Sequence, residues 1–290
     1  MTVQSLAAWL RCPNCVHGAG EVPLAVVTDA GAGVLGCRNG HRFDVNRRGY
    51  VTLLPARSRV VGDTAEMLDA RAELLSSGAY APIRDALIAA VLPSRPAAVL
   101  DSGTGTGWYL HGLLDALGAA QGAPVRGLAS DLSPAAVARA VRGRGDVDGL
   151  VADVHAPLPV RTGVADAVTV VFAPRNPAQF ARVLRPGGTL AVVVPRPEHL
   201  AELRAATGML DVPEGKAAAL DASLARWFSA ASARHVSYEL QVTPERALQL
   251  RGMGPSAHHL AAAEGSSPSE GAPLPASVTV DVDVLAYTRR

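Results

Sequence analysis

Short apolar runs, separated by stretches with apolar residues every three or four positions, organise the chain from about residue 60 to residue 195. Residues 63–80 begin with Asp63 and Thr64 as caps and place Met67, Leu68, Leu74 and Leu75 at helical spacing. A second helix is predicted over 82–92, ended by Pro93 and Pro96. Strands follow at 97–101, 125–131, 148–153, 166–172 and 189–195, alternating with helices at 108–117, 134–142 and 178–184. Unbroken Val/Leu strands separated by amphipathic helices indicate a parallel sheet covered on both faces. Beyond residue 196 two more helical stretches are expected, then a strand at 234–242. SVTVDVDVLAY (277–287) alternates as an edge or antiparallel strand should, which brings the sheet to seven strands. The composition of 261–277 is that of a flexible loop, and no internal repeat is evident.

The first sixty residues do not fit this pattern. They hold all three cysteines, Cys12, Cys15 and Cys37, and His41 follows the third at nearly the spacing that separates the first two. An odd number of thiols argues against a disulfide framework. Zinc takes four sulfur or nitrogen ligands in a tetrahedron, and a Cys-x-x-Cys turn with a Cys-x-x-x-His turn supplies them. Pro13, Asn14, Asn39 and Gly40 are the turn formers such knuckles need, and the 21 intervening residues suffice for two short strands. Four protein ligands leave no open position, so the metal would be structural and its binding energy would fold the module. His17, in the exit of the first knuckle, is the rival fourth ligand.

With 290 residues and 49% hydrophobic content, the chain can form one sizeable domain and an accessory module. We place the boundary at residue 60: a zinc module over 1–60, a catalytic domain over 61–290, and 61–96 as its helical linker region. The net charge of +1 is unevenly spread, with seven arginines against three acids in 1–60 and 20 basic against 23 acidic residues in the remainder. Arg38, Arg42, Arg47 and Arg48, followed by Arg57 and Arg59, make the module the basic part, as contact with an RNA backbone requires. There is no basic leader with an apolar core and no apolar run long enough for a bilayer. A soluble, cytoplasmic protein without a membrane partner is therefore expected.

VLDSGTGTGWYLHGLL carries the chemistry. Asp101 closes the first sheet strand, and Gly103, Gly105 and Gly107 follow, with Thr106 between the last two. Position 108 is Trp, so the dinucleotide pattern G-x-G-x-x-G is absent, and so is a phosphate loop. What remains is a glycine turn at a sheet's C-terminal edge, where a ligand can lie against the main chain. Asp131 ends the second strand, placed to accept two ribose hydroxyls, and Asp153 ends the third beside an adenine edge. Acids at three successive strand ends imply an adenosine without phosphates, which points to S-adenosylmethionine (SAM).

The zinc knuckles, HRFDVNRRGYVTLL (41–54), GDTAEM…AR…LL…GAY (62–80), LDSGTGTGWY and PRPEHL (195–200) together resemble the RlmA-type 23S rRNA (guanine-N1)-methyltransferases over nearly the whole chain. GMGPSAHHL (252–260) is similar to the Gram-positive branch, where the methyl protects antibiotic producers against macrolides such as tylosin. The resemblance implies a class I SAM-dependent methyltransferase fold, SAM as donor, 23S rRNA as partner, and N1 of one guanine in an exit-tunnel hairpin as acceptor. It implies Cys12, Cys15, Cys37 and His41 as zinc ligands, Gly105 and Thr106 as cofactor contacts, and Tyr80 and His199 as further cofactor contacts. The chain departs from the family in reading SGTGTG where relatives carry a Cys and a Glu, and in its polar 261–277 insertion. N1 lies on the Watson–Crick edge, so the base must be unpaired or flipped, with an aromatic to stack on. Trp108, Tyr109, Phe172 and Pro174 are the candidates, and no catalytic base is identified. A homodimer stays open. Two other readings stay open too: a small-molecule methyltransferase on the same scaffold, and a zinc-dependent RNA-binding protein with an inactive cofactor site.

Overall fold

Thr2 caps the first helix, α1 (Val3–Trp9), by accepting the Ser5 N–H, and the Ser5 hydroxyl accepts the Thr2 N–H in return. Helix α1 belongs to a computed structural model that describes residues 2–15, 20–27, 33–54, 62–253 and 274–290. A turn at Pro13–Cys15 leads to β1 (Ala25–Val26), β2 (Val34–Gly36) and β3 (Arg42–Asp44), which form an antiparallel three-stranded sheet in that order. The short strands expected between the two knuckles are therefore present. Next come β4 (Tyr50–Thr52), α2 (Ala65–Ser76), α3 (Ala81–Val91), β5 (Ala98–Ser102), α4 (Trp108–Gln121), β6 (Arg126–Asp131) and α5 (Pro134–Ala140). The chain continues through β7 (Val147–Val151), β8 (Ala165–Val171), α6 (Pro177–Val183), β9 (Leu184–Pro195), α7 (Ala201–Thr207), α8 (Lys216–Leu224), β10 (Phe228–Gln241), α9 (Pro244–Gly252) and β11 (Ser277–Arg289). Residues 261–273 of the expected loop, most of GMGPSAHHL, His17, Arg57 and Arg59 lie outside the described residues.

The large sheet has the order β10-β11-β9-β8-β5-β6-β7-β4. Strand β11 runs antiparallel to β10 and β9, and the other pairs are parallel. The sheet is mostly parallel, as expected, but it has eight strands instead of seven. The extra strand is β4, which pairs with β7 through Tyr50↔Gly149, Val51↔Leu150 and Thr52↔Val151. The segment read as the end of the zinc module therefore forms the edge of the catalytic sheet. At β5 the strand order reverses, with β8 on one side and β6 on the other, so the fold's ligand crevice opens at the C-terminal end of β5.

Two cores fill the faces of this sheet. One buries Leu74, Leu75, Ile83, Leu87, Leu113 and Leu117 from α2, α3 and α4. The other buries Leu6 and Trp9 from α1, Phe180 from α6, and Leu220 and Leu224 from α8. Helix α1 is thus part of the catalytic core. Its Trp9 is fully buried, and the Arg126 guanidinium lies 4.5 Å above its ring. Trp9 Nε1–H donates to one oxygen of Asp148 at 3.1 Å, and the Ser5 hydroxyl donates to the other at 2.7 Å. Main-chain contacts continue the seam: the Arg11 N–H donates to Pro159 O at 2.9 Å and the Arg161 N–H to Trp9 O at 2.8 Å. Among the described residues no helix is long and apolar enough to cross a membrane.

Asp148 is buried in β7, and truncating it leaves the buried Trp9 indole N–H unpaired, while the half-buried Ser5 hydroxyl can turn to Thr2 O at 2.8 Å. Asp148→Ala is expected to cost about 1–3 kcal/mol, read as a lower urea midpoint at unchanged slope. An unchanged midpoint would mean that α1 is held by apolar packing alone.

Candidate functional site

The four metal donors come from two turns of the same kind. The Cys15 N–H reaches back to Cys12 O at 3.3 Å, and the Gly40 N–H to Cys37 O at 3.0 Å. Gly40, at φ 87°, supplies the left-handed step that lets the second turn close. His41 Nδ1 lies 3.5, 3.4 and 3.4 Å from the sulfurs of Cys12, Cys15 and Cys37, and the Cys15 and Cys37 sulfurs are 4.0 Å apart. All four ligand atoms fall within 4.8 Å of one another. A tetrahedron with Zn–S near 2.3 Å and Zn–N near 2.0 Å has S···N edges of about 3.5 Å and S···S edges of about 3.8 Å, so the donors fit zinc. Asn39 Nδ2 donates to the Cys15 sulfur at 3.2 Å, a second-layer contact that orients that ligand. Arg38 and Arg42 are exposed beside the second turn, Arg47 and Arg48 are exposed in the turn between β3 and β4, and Arg38 lines the same recess as Cys15 and His41.

The glycine loop leaves β5 at the switch point. The Gly103 and Thr104 N–H groups both donate to Ser130 O, at 2.8 and 3.1 Å, which holds the loop across the top of β6. Gly103 has φ 77°, and a Cβ there would come within 2.3 Å of the Ala173 Cβ. Gly107 has φ 81° and backs onto the Ala140 main chain, where a Cβ would sit 2.8 Å from Cα. Both positions exclude any side chain, which lets the loop pass this close to Ala173 and Ala140 on its way into α4. Thr106 lies half-buried between them.

The three strand-end acids take different roles. Asp101 is fully buried, and the Thr169 hydroxyl donates to it at 2.6 Å. Burial pushes its carboxyl up to about 6. Asp131 accepts the Gly105 N–H and the Ser133 N–H, each at 2.9 Å and each on its own oxygen, so it ties the loop down while one lone pair per oxygen stays free. Burial raises its pKa as well. Asp153 accepts the His155 N–H at 2.9 Å and closes its own turn.

Tyr80, Phe172 and His199 come together at the C-terminal ends of β8 and β9. Phe172 stacks on His199 with centroids 5.7 Å apart and planes at 24°, and Tyr80 stands edgewise to His199 at 6.2 Å. Tyr80 and Phe172 are 6.3 Å apart. Phe172 is 39% exposed and sits at φ 53°, a conformation that costs a non-glycine residue about 1–2 kcal/mol. His199 Nδ1 accepts the Asp281 N–H at 3.2 Å, which assigns the proton of the neutral ring to Nε2. Burial, aided by Arg204, depresses its pKa to about 4, so the ring is neutral. The hydroxyls of Tyr80 and Tyr109 are buried with no hydrogen-bond partner among the described residues. Orphaned donors beside a glycine loop are what a polar, adenosine-bearing ligand would satisfy, so the residues present fit SAM.

Of the four stacking candidates, only Phe172 joins this trio. Trp108 and Tyr109 pack edge-to-face on each other at 5.0 Å, with the Arg84 guanidinium 4.7 Å from the Trp108 ring. Pro174 is exposed and outside the ring contacts. Sequence reasoning missed Thr169, although a lone hydroxyl within the apolar run DAVTVVF was a signal. It also missed Arg204, a buried cation that nothing in the local sequence marks.

Residues 10–60 match a zinc-ribbon family model described as RlmA, N-terminal. The chain is 40% identical over 260 residues to the 23S rRNA (guanine(748)-N(1))-methyltransferase of Streptomyces fradiae, covering 88% of each. It is 40% identical over 294 residues, covering 96% of each, to a Micromonospora griseorubida protein whose name describes a 23S rRNA (guanine-N(1)-)-methyltransferase. Among solved structures, a chain from the complex of the Haloferax volcanii Trm112 methyltransferase activator with a methyltransferase superposes with a TM-score of 0.51 at 19% identity. That match covers 79% of this chain and 99% of the other, and it establishes a shared methyltransferase fold.

Asp101 sets a pH dependence of stability. Its folded pKa lies above the ordinary 3.8, so the folded state keeps a proton that the unfolded state releases between pH 3.8 and about 6. Stability from this group is therefore greatest below that window, falls as pH rises through it, and stays low above it. Asp101→Asn is expected to raise the melting temperature near pH 8, by at most about 3 kcal/mol in stability, and to leave it unchanged near pH 4. Thermal scans of the two proteins across pH would check this; parallel curves would contradict it.

Proposed function

The chain belongs to the RlmA-type 23S rRNA (guanine-N1)-methyltransferase family, and on that premise we propose that it methylates N1 of one guanine in a 23S rRNA hairpin lining the peptide exit tunnel. It would act in the cytoplasm, where the ribosome is, and the methyl would protect that ribosome from a macrolide of the tylosin type. The observation that carries the reading is Phe172: a partly exposed aromatic, held in a strained backbone at the end of β8 and backed by a buried neutral histidine. That is a surface on which an extruded base can stack.

Each element then has a task. Cys12, Cys15, Cys37 and His41 hold a structural zinc, with no ligand position left for catalysis. Arg38, Arg42, Arg47 and Arg48 contact the rRNA backbone and place the hairpin. Asp101, Gly103, Gly105, Thr106, Gly107 and Asp131 line the cofactor crevice, with Tyr80 and His199 closing it and Asp153 at its adenine side. SAM, when bound, supplies an electrophilic methyl group on its sulfonium. Phe172 would hold the guanine ring flat and present its N1 edge to the cofactor crevice, and positioning of this kind can supply much of the acceleration. While His199 Nδ1 holds the Asp281 N–H, the ring is not the base that removes the N1 proton.

A small-molecule acceptor is not favoured, because the zinc module is intact and its helix and last strand are built into the catalytic domain. Zinc, glycine loop and aromatic trio all lie within one protomer.

The test is methyl transfer from labelled SAM to rRNA lacking this modification, mapped by primer extension, since N1 methylation blocks base pairing. One stop at a single guanine of the large-subunit rRNA is expected. Phe172→Ala should reduce kcat/KM for rRNA about 5- to 150-fold, the range of one lost base stack, while SAM binding is retained. Methylation of a small molecule with no stop in the rRNA would overturn the reading.

A further inference from the structure

Asp131 is held by more than its own turn. Its two oxygens accept the Gly105 and Ser133 N–H groups, each at 2.9 Å. The Ser133 hydroxyl caps α5 by accepting the Ala136 N–H at 3.4 Å, and it donates in turn to Asp63 O at 2.8 Å. The Asp63 carboxylate pairs with Nη1 of Arg71, which stands on α2. That same nitrogen lies against the glycine loop, where a Cβ built on Gly105 would come within 3.1 Å of it. The path from Gly105 through Asp131, Ser133, Asp63 and Arg71 therefore closes back on Gly105.

This circuit has little room to shift. Gly62 backs onto Ser133, and a Cβ there would sit 2.8 Å from the Ser133 N. Arg139, on α5, donates to Ala65 O at 3.2 Å and pairs with Asp69 at 2.8 Å, which fastens the first turns of α2 to α5. Arg71 Nη2 donates to Met253 O, immediately after α9. An arginine on a helix surface ordinarily extends its head into water. Here both Nη groups are instead committed to protein acceptors on either side of the loop's approach to Asp131.

We propose that Arg71 and Asp63 are positioning residues for the ribose of SAM: they hold the 62–64 segment against the glycine loop and so keep both Asp131 oxygens available to the two ribose hydroxyls. The proposal deepens the cofactor reading and rests on Asp131 as the ribose acceptor. A carboxylate that serves two hydroxyls must have both oxygens in hydrogen-bond range at once. Each Asp131 oxygen is aimed by one N–H, and the circuit fixes the backbone that carries each N–H. Such outer partners orient a binding group without touching the ligand themselves. A direct grip of Arg71 on the amino-acid carboxylate of SAM is the competing role, and it is disfavoured because Nη1 and Nη2 already have acceptors.

Binding calorimetry on the full-length zinc-loaded protein tests this with two probes, S-adenosylhomocysteine and 5′-methylthioadenosine. Both carry the ribose, and only the first carries an amino-acid carboxylate. Arg71→Met and Asp63→Ala are each expected to weaken both probes by the same factor, about 10-fold. The double variant should bind no more weakly than either single one, because the two residues act through one contact. Arg71→Lys, which keeps a cation facing Asp63, should recover most of the loss. Weaker S-adenosylhomocysteine binding with methylthioadenosine unchanged would place Arg71 on the cofactor's carboxylate and overturn the proposal. So would additive losses in the double variant, no recovery by lysine, or unaltered binding of both probes. Asp131→Ala separates the two readings. If it left both probes unaffected, the ribose reading would fall, and the proposal with it; a loss in Asp131→Ala beside unaffected Arg71 and Asp63 variants would sink the circuit alone.

Discussion

A single buried carboxylate settles how the two ends of this protein are related. Asp148 sits in β7 and receives the Ser5 hydroxyl and the Trp9 indole N–H from the first helix of the chain. A buried carboxylate needs such donors and the buried indole N–H needs such an acceptor, so this contact fixes α1 against the sheet. Directly beside β7, β4 adds itself to the edge of the same sheet. The basic knuckles therefore cannot swing freely from the catalytic sheet.

At the crevice, order is kept at a local cost. Phe172 and Leu200 are two of three non-glycine residues with positive φ among the described residues, and they flank the stack of Phe172 on His199. Each is held by the sheet: the Phe172 N–H bonds to Val193 O at 3.3 Å, and the Leu200 N–H to Thr279 O at 2.7 Å. Strain at two backbone positions and a carboxyl raised to about 6 are each unfavourable for the fold near neutral pH. They coincide at one edge because a ligand-binding edge is where such costs are retained.

Much of this was legible in the sequence. The zinc cluster could be read because its spacing is local and its chemistry admits few alternatives. The parallel sheet could be read because its strands are unbroken apolar runs. The eighth strand could not: YVT is three residues long, and its partner lies about a hundred positions away. The Ser5–Trp9–Asp148 contact spans more than 130 positions, beyond any local pattern. Choosing Phe172 over Trp108 also required the fold, because side-chain type alone gives equal reason to stack. Arg204 was hidden by composition, since an arginine-rich chain offers no cue to the one that is buried.

The central claim is that the zinc site and the catalytic sheet form one mechanical unit. Hydrogen exchange at the backbone amides of Tyr50–Thr52 and Val147–Val151, followed before and after zinc is removed by chelation, tests it most directly. Coupled loss of protection in both strands is expected, because the knuckles, α1 and β4 depend on the same folding energy. Protection lost only around Cys12–Cys15 and Cys37–His41, with β4 and β7 unchanged, would make the zinc module an independent appendage and contradict the account.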